Sequence, residues 1–419
     1  MNLNIVDWVK KQKSIQKIKI NKVNLSKLSG WKYNKNKLFH KSNKFFKIVG
    51  IDIKSNYFKK NWDQPIIIQN EVGILGIIKD IKKNKYLLQA KLEPGNINKL
   101  QVSPTVQATK SNYSKVHGGQ KIPYINFFLK KQKNKSLQSE QAFRYYNKYN
   151  SNIIYIINKK IKITKKFKWL SLNEIYYLLK KKNIINMDTL SVFSSFIKKN
   201  INDIPLNKSN LVSKWIKKND KRYYLKSILK NLSELKDWNV NKKEISHKKK
   251  RFFSIIGINV STNNREVKKW SQPILQGKKL ALAGFLIKEY NNTKHYLCKY
   301  ILKPGSKFST ISCTVNTSDL SRYNKNNTLT TFQKKIIKKY LLNNKYKTVY
   351  RNILSDEGGR FFHNQIQYIG KEIDKNDKIK IPKTYCWISH NQMINLINKK
   401  KLDIEARLLF GIINIKNTI

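Results

Sequence analysis

Short apolar stretches rich in Ile and Val recur along the chain, and Gly, Pro or Asn residues bound them. The clearest are residues 45–53 (FFKIVGIDI), the apolar parts of residues 65–80 (PIIIQNEVGILGIIKD) and residues 85–92 (KYLLQAKL). Apolar and polar positions partly alternate within these stretches, which is typical of β-strands with one buried face. We therefore predict strands at these places.

Helices are predicted at two serine-led capping sequences. Ser171 and Glu174 form a Ser-x-x-Glu capping box, in which each side chain bonds the other residue's backbone N–H. The apolar residues after Ser171 fall on one helical face: Leu172, Ile175, Tyr176 and Leu179. Ser389 and Gln392 repeat this design. We predict a further helix near residues 136–149 (SLQSEQAFRYYNKY).

An ordered series of matching motifs divides the chain into two halves. Six motifs each have a counterpart about 207 to 218 positions further on: FFKIVGIDI and FFSIIGINV, WDQPI and WSQPI, LEPG and LKPG, PTVQ and CTVN, SEQAFR and SDEGGR, WLSLNE and WISHNQ. Six matches in one order predict a tandem duplication. Apolar periodicity stops within residues 198–210. We therefore predict two α+β domains, residues 1–200 and 201–419.

The chain is strongly basic, with a formal net charge of +63 from 87 Lys and Arg against 24 Asp and Glu. Such a charge fits a nucleic-acid-binding protein. However, only eight of the 87 are Arg, whose planar fork best suits phosphate and guanine. The abundant Lys, Asn, Ile, Tyr and Phe share codons made largely of A and T, so base-composition drift is the competing explanation. The lysines are scattered rather than clustered with aromatics.

Neither a disulfide framework nor a zinc site is indicated by the three cysteines, Cys298, Cys313 and Cys386, because none has CxxC spacing. The first residues lack the apolar region of a signal peptide, and no apolar run reaches the length of a membrane span. We predict a cytoplasmic protein that does not associate with membranes.

The two halves differ in their polar residues. The first half has Glu93, Gln107, His117 and Glu140, whereas the second has Lys303, Asn316 and Asp356 at three of these positions and no counterpart of His117. We predict that the first half contains the working site and that the second is a structural remnant.

Residues 103–119 (SPTVQATKSNYSKVHGG) stand out because they are nearly free of the Ile and Asn that fill their surroundings. They supply hydrogen-bonding side chains at close spacing: Ser103, Thr105, Gln107, Thr109, Ser111, Asn112 and Tyr113. Alternating polar side chains on a strand can line a pocket for a hydroxyl-rich ligand such as a sugar. The alternative is a Ser/Thr-rich loop that bonds only to itself.

His117 is the candidate for proton transfer, because only His has an unperturbed pKa near neutrality. Glu93 and Glu140 stand out among scarce acids, although each could pair with a lysine for structural reasons. Arg144 is the one arginine of residues 1–200 and fits bidentate binding of a diphosphate or carboxylate. No dinucleotide fingerprint, P-loop or His/Cys metal cluster occurs, so no redox cofactor is implied.

Several of these segments resemble the NDP-hexose 2,3-dehydratase family, and the resemblance runs from about residue 28 onward. The segments that carry it are WDQPIIIQNEVGILGII, LLQAKLEPGNINKLQVSPTVQATKSNYSKVHGG, SLQSEQAFRYY and NMDT. It implies a homodimer whose subunit is two Nudix-like domains from a duplication, with the first pocket active. It also implies a dTDP-linked 4-keto-6-deoxyhexose substrate that loses its C2 hydroxyl, and a 3-ketoreductase that takes the unstable diketo product.

The resemblance also implies roles for single residues. Glu93 and His117 would be base and acid, in an order left open, with Glu140 as a further catalytic candidate. Tyr113 or Lys110 would lie near the enolate oxygen, Arg144 would hold the diphosphate, and Trp62 would stack on thymine. Further substrate-binding candidates are Gln64, Thr105, Gln107, Thr109, Ser111, Asn112, Lys148 and Asn150. Whether a divalent metal assists is left open.

The sequence departs from the family pattern at two places. A KRNRN-type run is replaced by residues 148–152 (KYNSN), and the motif NMDTR ends in Leu190. The alternatives are therefore a lysine that substitutes for the missing arginines, or a folded enzyme that has lost its activity. A Nudix-type diphosphate hydrolase would need a glutamate-rich metal-binding box, which the sequence lacks.

Overall fold

The computed structural model describes residues 3–116, 118–277, 279–321, 323–325 and 328–418. Helices and strands are mixed along the chain, as the sequence predicted. The helices are α1 (Leu3–Ile15), α2 (Lys110–Tyr113), α3 (Asn126–Leu129), α4 (Leu172–Leu179), α5 (Met187–Ser194), α6 (Ser209–Arg222), α7 (Thr331–Ile336), α8 (His390–Asn398) and α9 (Ile404–Ile413).

The strands before residue 200 are β1 (Ile18–Val23), β2 (Trp31–Tyr33), β3 (Leu38–His40), β4 (Lys47–Ser55), β5 (Trp62–Ile68), β6 (Gly73–Asp80), β7 (Lys85–Leu92), β8 (Leu100–Ser103), β9 (Val106–Ala108), β10 (Lys135–Ser139), β11 (Tyr145–Tyr146), β12 (Tyr149–Ile157) and β13 (Phe167–Leu170). β4 to β7 confirm the strands that the apolar stretches predicted.

The later strands are β14 (Leu225–Lys230), β15 (Trp238–Val240), β16 (Ile245–His247), β17 (Phe253–Thr262), β18 (Lys269–Gly277), β19 (Ala281–Tyr290), β20 (Thr293–Ile301), β21 (Thr310–Ser312), β22 (Val315–Thr317), β23 (Lys347–Ser355), β24 (Phe361–Phe362), β25 (Gln365–Glu372) and β26 (Tyr385–Ser389). Their order repeats that of the strands in the first half.

Each half contributes a smaller and a larger mixed sheet. The smaller sheets follow the orders β11-β5-β4-β3-β2 and β15-β16-β17-β18-β24. The larger sheets follow the orders β10-β12-β6-β7-β13 and β21-β20-β19-β25-β23. β12 lies parallel to β6, and β19 lies parallel to β25, whereas most other neighbours are antiparallel.

The halves exchange their first strands. β1 pairs antiparallel with β17 of the second half, and β14 pairs antiparallel with β4 of the first half. One hydrophobic cluster contains residues from both halves, from Ile5 to Ile415. Helices α5 and α9 pack so closely that a Cβ on Gly411 would lie 2.4 Å from the Ser194 Cβ. The two halves therefore share a core, and the smaller sheet of each half contains one strand from the other half.

Local chemistry explains where two helices begin. Both predicted capping boxes are present, Ser171 with Glu174 at α4 and Ser389 with Gln392 at α8. The helix predicted near residues 136–149 is wrong, because this segment forms β10, a turn, β11 and the start of β12. In the described parts of the chain, no helix has both the length and the apolar character that crossing a bilayer requires. The three cysteines are free and buried.

Candidate active site

A cavity of about 210 Å³ lies between the larger first-half sheet and two second-half segments. One wall comes from the ends of β6, β7, β9 and β12, together with the first turn of α5. The facing wall comes from residues 265–272, which lead into β18, and from residues 357–360, which precede β24. The cavity therefore belongs to both halves of the chain.

Eight of the predicted site residues line this cavity: Glu93, Gln107, Thr109, Ser111, Asn112, Glu140, Lys148 and Asn150. They come from the turn after β7, the strand β9 with the start of α2, and the two ends of the β10–β12 hairpin. Gln107, Thr109, Ser111 and Asn112 of the polar run thus lie at the cavity, while the Thr109 hydroxyl also bonds the side chains of Ser111 and Asn112.

The other predicted residues are placed elsewhere, and His117 lies outside the described residues. Thr105 donates to the Leu87 carbonyl and accepts from the Ile78 N–H, so it ties strands together. Six predicted site residues are not among the described residues that line the cavity: Trp62, Gln64, Thr105, Lys110, Tyr113 and Arg144. Lys110 is exposed, and Tyr113 packs on an apolar cluster.

The second-half counterparts of three of these residues do line the cavity. Trp270, Gln272 and Arg360 correspond to Trp62, Gln64 and Arg144 in the matching motifs. The contacts are repeated in both halves: the Gln64 amide donates to the Phe143 carbonyl at 2.7 Å, and the Gln272 amide donates to the Gly359 carbonyl at 2.6 Å. In each half, the glutamine of the smaller sheet therefore holds the turn of that same half.

Glu93 is the best-anchored carboxylate of the site. It is 2% exposed, and its Oε1 accepts from the Gln107 amide at 2.9 Å and lies 3.4 Å from Lys91 Nζ. Its Oε2 accepts from the Asn186 amide at 3.0 Å. Burial by itself raises the pKa of Glu93, but Lys91, Arg265 and the Gln107 hydrogen bond outweigh it and hold that pKa below its usual value. Glu93 is therefore ionised at neutral pH.

Glu140 and Lys148 form a second charged group in the same wall. The Asn150 amide donates to Glu140 Oε1 at 2.6 Å, and Lys148 Nζ donates to the Glu71 carbonyl. Burial raises the pKa of Glu140, although Arg407 and Lys148 oppose the rise. Burial lowers the pKa of Lys148 to about 8, so this ammonium can exchange a proton near neutral pH.

Three further carboxyl groups line the cavity, and the sequence analysis did not single them out: Asp188, Glu266 and Glu357. Burial raises the pKa of Glu266, but Arg265 and Lys166 outweigh it and lower that pKa to about 2. Asp188 lies in the first turn of α5, and Glu357 lies in the loop after β23. Burial raises the pKa of Asp188 well above its usual value, and Glu357, Glu140 and Glu93 raise it further. Burial, with Glu93 next, raises the pKa of Glu357 to about 7. Burial and the neighbouring carboxyl groups thus favour the protonated forms of Asp188 and Glu357, as burial does for Glu140.

Two guanidinium groups from the second half stand at the cavity. Arg265 donates from Nη1 to the Leu92 carbonyl at 2.7 Å, and its guanidinium carbon lies 5.8 Å from the Trp270 ring centroid. The guanidinium carbon of Arg360 lies 4.3 Å from the centroid of the Phe46 ring. Together with Lys91 and Lys148, they give the cavity cations that can bind an anionic ligand.

The equivalent place in the second half is occupied by protein side chains. Lys303 takes the position of Glu93 and forms ion pairs with Asp403 at 2.8 Å and Glu405 at 3.0 Å. The centroid of the Phe143 ring lies 5.5 Å from Lys303 Nζ. The residue that matches Phe143 in the other half is the small Gly359, which lines the first-half cavity. A self-paired ion cluster thus replaces the ionised carboxylate of the first site.

The sequence carried signals for some of the missed residues. Asp188 belongs to the segment NMDT, and Arg360 and Glu357 belong to the SDEGGR motif. Nothing in the sequence pattern assigned them to the first-half site, because the strand exchange that brings the halves together involves residues far apart in the chain. In the described residues, no group of three or more His, Cys, Asp or Glu side chains is arranged to hold a metal ion.

The fold and the cavity define an α+β protein whose site combines an ionised carboxylate, carboxyl groups whose pKa is raised, and several cations around polar side chains. Such a set suits acid–base chemistry on a polar, anionic ligand. A family model described as NDP-hexose 2,3-dehydratase matches residues 2–196 and 209–413. The chain belongs to this family.

Three curated relatives carry the name dTDP-4-dehydro-6-deoxy-alpha-D-glucopyranose 2,3-dehydratase. The protein of Saccharopolyspora spinosa is 30% identical, and the alignment covers 96% of this chain and 89% of the relative. That of Amycolatopsis orientalis is 28% identical (97% and 89% covered), and that of Streptomyces violaceoruber is 30% identical (96% and 95% covered). The chain is therefore similar to these enzymes over nearly its whole length.

A comparison with solved structures adds only a weak likeness. A structure entitled "Crystal structure of ADP compounds hydrolase" shares 10% identity and a TM-score of 0.24, covering 38% of this chain and 84% of that chain. A likeness at this level bears on neither fold nor function.

Proposed function

We propose that this protein is a dTDP-4-dehydro-6-deoxyglucose 2,3-dehydratase of deoxysugar biosynthesis. The observation that carries the proposal is the ionised carboxylate of Glu93, held in a polar cavity of a chain that belongs to the NDP-hexose 2,3-dehydratase family. The reaction is the loss of water from C2 and C3 of the sugar, which leaves a 3,4-diketo-2,6-dideoxy sugar. The relatives that the chain resembles carry the corresponding name.

The chemistry needs a base, a stabilised enolate and an acid. The C3 hydrogen lies next to the C4 ketone, so Glu93 can remove it if a cation stabilises the enolate oxygen. Lys148 is the proposed partner of that oxygen, since its ammonium lines the cavity and has a pKa lowered by burial to about 8. The departing C2 hydroxyl needs a proton, and the sequence analysis left open which of Glu93 and His117 is the acid; with Glu93 as the base, His117 would supply it.

Substrate binding would use both halves of the chain. Gln107, Thr109 and Asn150 offer hydrogen bonds to sugar hydroxyls. The diphosphate would bind the guanidinium groups of Arg265 and Arg360, which take the part that the sequence assigned to Arg144. Trp270 rather than Trp62 would stack on the thymine ring.

The proposal includes the architecture and the setting. We propose two Nudix-like domains from an internal duplication, residues 1–200 and 201–419, which is supported by two separate family matches and by the repeated order of strands. The second pocket would be a remnant. The enzyme would be a cytoplasmic homodimer without a redox cofactor, and a 3-ketoreductase would consume its unstable product.

The test is conversion of dTDP-4-keto-6-deoxyglucose in the presence of a 3-ketoreductase and NADPH, which trap the product for mass spectrometry. We expect a product that has lost the C2 oxygen. Gln107→Ala should lower the rate, whereas Asn316→Ala, at the matching position of the second half, should not. Absence of product, with dTDP still raising the thermal unfolding temperature, would mean a binding fold without dehydratase activity.

A further inference from the structure

We infer that Asp188 is the acid that protonates the departing C2 hydroxyl. This assignment rests on the proposed dehydratase function and gives the acid step to a residue other than His117. Asp188 is 3% exposed, and its side chain lines the cavity together with Glu93. An acid for this step must carry its proton at neutral pH and must reach the substrate.

The surroundings of Asp188 favour its neutral form. Its backbone N–H donates to the Asn186 side chain at 2.8 Å, which fixes the first turn of α5. Within the described residues, no side chain or backbone group donates a hydrogen bond to its carboxyl. A buried carboxylate without a donor is costly, whereas a neutral carboxyl is much less so. These surroundings therefore favour the protonated form of Asp188.

The neighbouring charges act in the same direction. Glu93 follows β7, Glu140 follows β10 and Glu357 follows β23, and these three carboxyl groups line the same cavity as Asp188. Burial first, and then Glu357, Glu140 and Glu93, raise the pKa of Asp188 well above its usual value.

The opposing cations are Lys91 on β7 and Arg407 on α9. Lys91 Nζ is engaged by Gln107 Oε1 at 2.6 Å and by Glu93 at 3.4 Å. Arg407 is turned to the serines of α5, where its Nη1 donates to Ser191 Oγ at 2.9 Å. Both cations therefore have nearer partners than Asp188.

The position of Asp188 at the start of a helix does not reverse this conclusion. A helix N-terminus favours the ionised form of a carboxyl in its first turn. Asp188 is nevertheless 3% exposed, and burial favours the neutral form. Burial and three carboxyl neighbours act against it.

Asp188 is distinguished from the other two proton-bearing candidates by its partners. Glu140 accepts from the Asn150 amide at 2.6 Å, and Glu357 accepts from the Gly359 N–H at 2.9 Å. Such donors stabilise an ionised carboxylate. The carboxyl of Asp188 has no comparable donor within the described residues.

The step balances as follows. Glu93 takes the C3 proton, and the C3–H electron pair forms the enolate C3=C4 bond while the C4 carbonyl becomes an oxyanion. The C4 carbonyl then re-forms, the enolate pair moves to C2=C3, and the C2–O bond breaks. The leaving oxygen takes the Asp188 proton and departs as water. The resulting enol becomes the 3-ketone by gaining a proton at C2 and losing one from O3, and proton exchange with solvent resets Glu93 and Asp188.

The experiment separates the two proton transfers with Asp188→Asn, which keeps the shape of the neutral acid but has no proton to give. Purified variants are incubated with dTDP-4-keto-6-deoxyglucose in D₂O. Mass spectrometry then measures deuterium entering C3 of the remaining substrate, and the trapped product measures elimination. We expect D188N to exchange the C3 hydrogen within about tenfold of the wild-type rate of proton removal, and to eliminate water about 10²- to 10⁴-fold more slowly.

Two further variants complete the comparison. Glu93→Gln should lose both exchange and elimination. Asp356→Asn, at a buried acid that is not among the described lining residues, should change neither by more than about twofold. If D188N does not fold, as judged by thermal unfolding with dTDP, Asp188→Glu moves the acid by one methylene and should lower elimination more than exchange.

Four results would overturn the assignment. Elimination by D188N within a few-fold of the wild type would remove Asp188 as the acid, and a large elimination defect in His117→Ala alone would give the role to His117. Loss of exchange together with elimination in a folded D188N would place Asp188 in substrate binding or in the first step. A wild-type protein that neither exchanges nor eliminates would instead refute the proposed function itself, and the Asp188 assignment with it.

Discussion

The backbone N–H of Gly95 donates a 2.7 Å hydrogen bond to the carbonyl oxygen of Gly358. This contact docks the turn that carries Glu93 on the second-half loop that carries Glu357. A Cβ on Gly95 would lie 1.8 Å from the Phe361 carbonyl oxygen, so no other residue fits without separating the halves. This wall of the cavity is therefore held in place by a close approach that only glycine allows.

We expect Gly95→Ala to lower the free energy of unfolding by about 1–3 kcal/mol, because the added methyl group must displace backbone atoms. Chemical denaturation measures this change. The matched variant is Gly305→Ala, whose Cβ would lie 1.7 Å from the Tyr145 carbonyl oxygen. Dehydratase activity per folded molecule should fall further in G95A, since Gly95 adjoins the Glu93 turn. Equal activity losses in the two variants would contradict this assignment.

Trp270 and Trp62 occupy matching positions of the two halves, so their variants test which half supplies the tryptophan that stacks on the thymine ring. Trp270 lines the cavity, whereas Trp62 packs with Phe58 at a ring distance of 5.0 Å. We expect Trp270→Ala to raise KM for the dTDP-sugar about tenfold, in line with roughly 1–3 kcal/mol for stacking on a base. Trp62→Ala should leave KM within about twofold. The reverse order in steady-state kinetics would return the thymine contact to the first half.

Asp356 should make stability depend on pH. Burial raises the pKa of Asp356 to about 7 in the folded protein, whereas an unfolded chain releases this proton near pH 4. Between these values the folded state binds more protons, so stability falls as pH rises from about 4 to 7 and stays level above. Asp356→Asn should remove this loss and be more stable than the wild type by roughly 2–4 kcal/mol at pH 8.

At pH 4.5 the same variant should differ little from the wild type. Its amide can still accept from the Gln141 side chain, which donates to Asp356 Oδ1 at 2.5 Å. Asp374→Asn serves as the control, because Asp374 is exposed. Urea denaturation between pH 4.5 and 8 gives the comparison. A pH-independent difference between D356N and the wild type would show that Asp356 does not hold its proton in the fold.

Arg407 connects the second half to α5, the helix whose first turn contains Asp188. Its Nη1 donates to the Ser191 carbonyl at 3.0 Å and to the hydroxyls of Ser191 at 2.9 Å and Ser194 at 3.0 Å. Arg407→Met should lower the free energy of unfolding by about 2–4 kcal/mol, because buried hydroxyls lose a charged donor. Arg407→Lys keeps the charge without the planar fork and should lose less.

The kinetics of the same variants report on Glu140. Ser191 Oγ donates to Asn152 at 2.8 Å, Asn152 donates to the Asn150 carbonyl at 3.3 Å, and Asn150 donates to Glu140. Arg407 also opposes the rise of the Glu140 pKa. Loss of this charge in R407M should therefore raise the pKa of Glu140, so the part of the kcat/KM pH profile that reports this group should shift to higher pH. R407K keeps the charge and should leave the profile near that of the wild type. Superimposable pH profiles of kcat/KM for R407M and the wild type would refute this link.

Local sequence was sufficient to predict the helices and strands that are stabilised by residues close together in the chain. The capping box of Ser171 and Glu174 needs only residues three positions apart, and α4 begins there. The apolar stretch of residues 45–53 contains most of β4, because its alternating Ile and Val side chains are stabilised by burial in a sheet. The unequal polar residues of the halves also pointed to Glu93, Gln107 and Glu140, which line the cavity.

Segment 136–149 shows where local pattern fails. Its apolar and aromatic residues fit a helix, yet β10 pairs with β12 and β11 pairs with β5, so strand partners from elsewhere decide its conformation. Tertiary pairing of this kind overrides helix propensity, which is worth less than 1 kcal/mol per residue.

The sequence by itself determined the mixed α+β character, the repeated motifs and the first-half part of the site. The tertiary structure alone decided which copy of each motif serves which cavity. β1 crosses to the second half and β14 crosses to the first, so Arg360 and Trp270 reach the Glu93 cavity while Arg144 and Trp62 do not. The reason is physical: periodicity records which face of a strand is buried, but the partner that buries it is chosen by contacts between residues 170 to 244 positions apart.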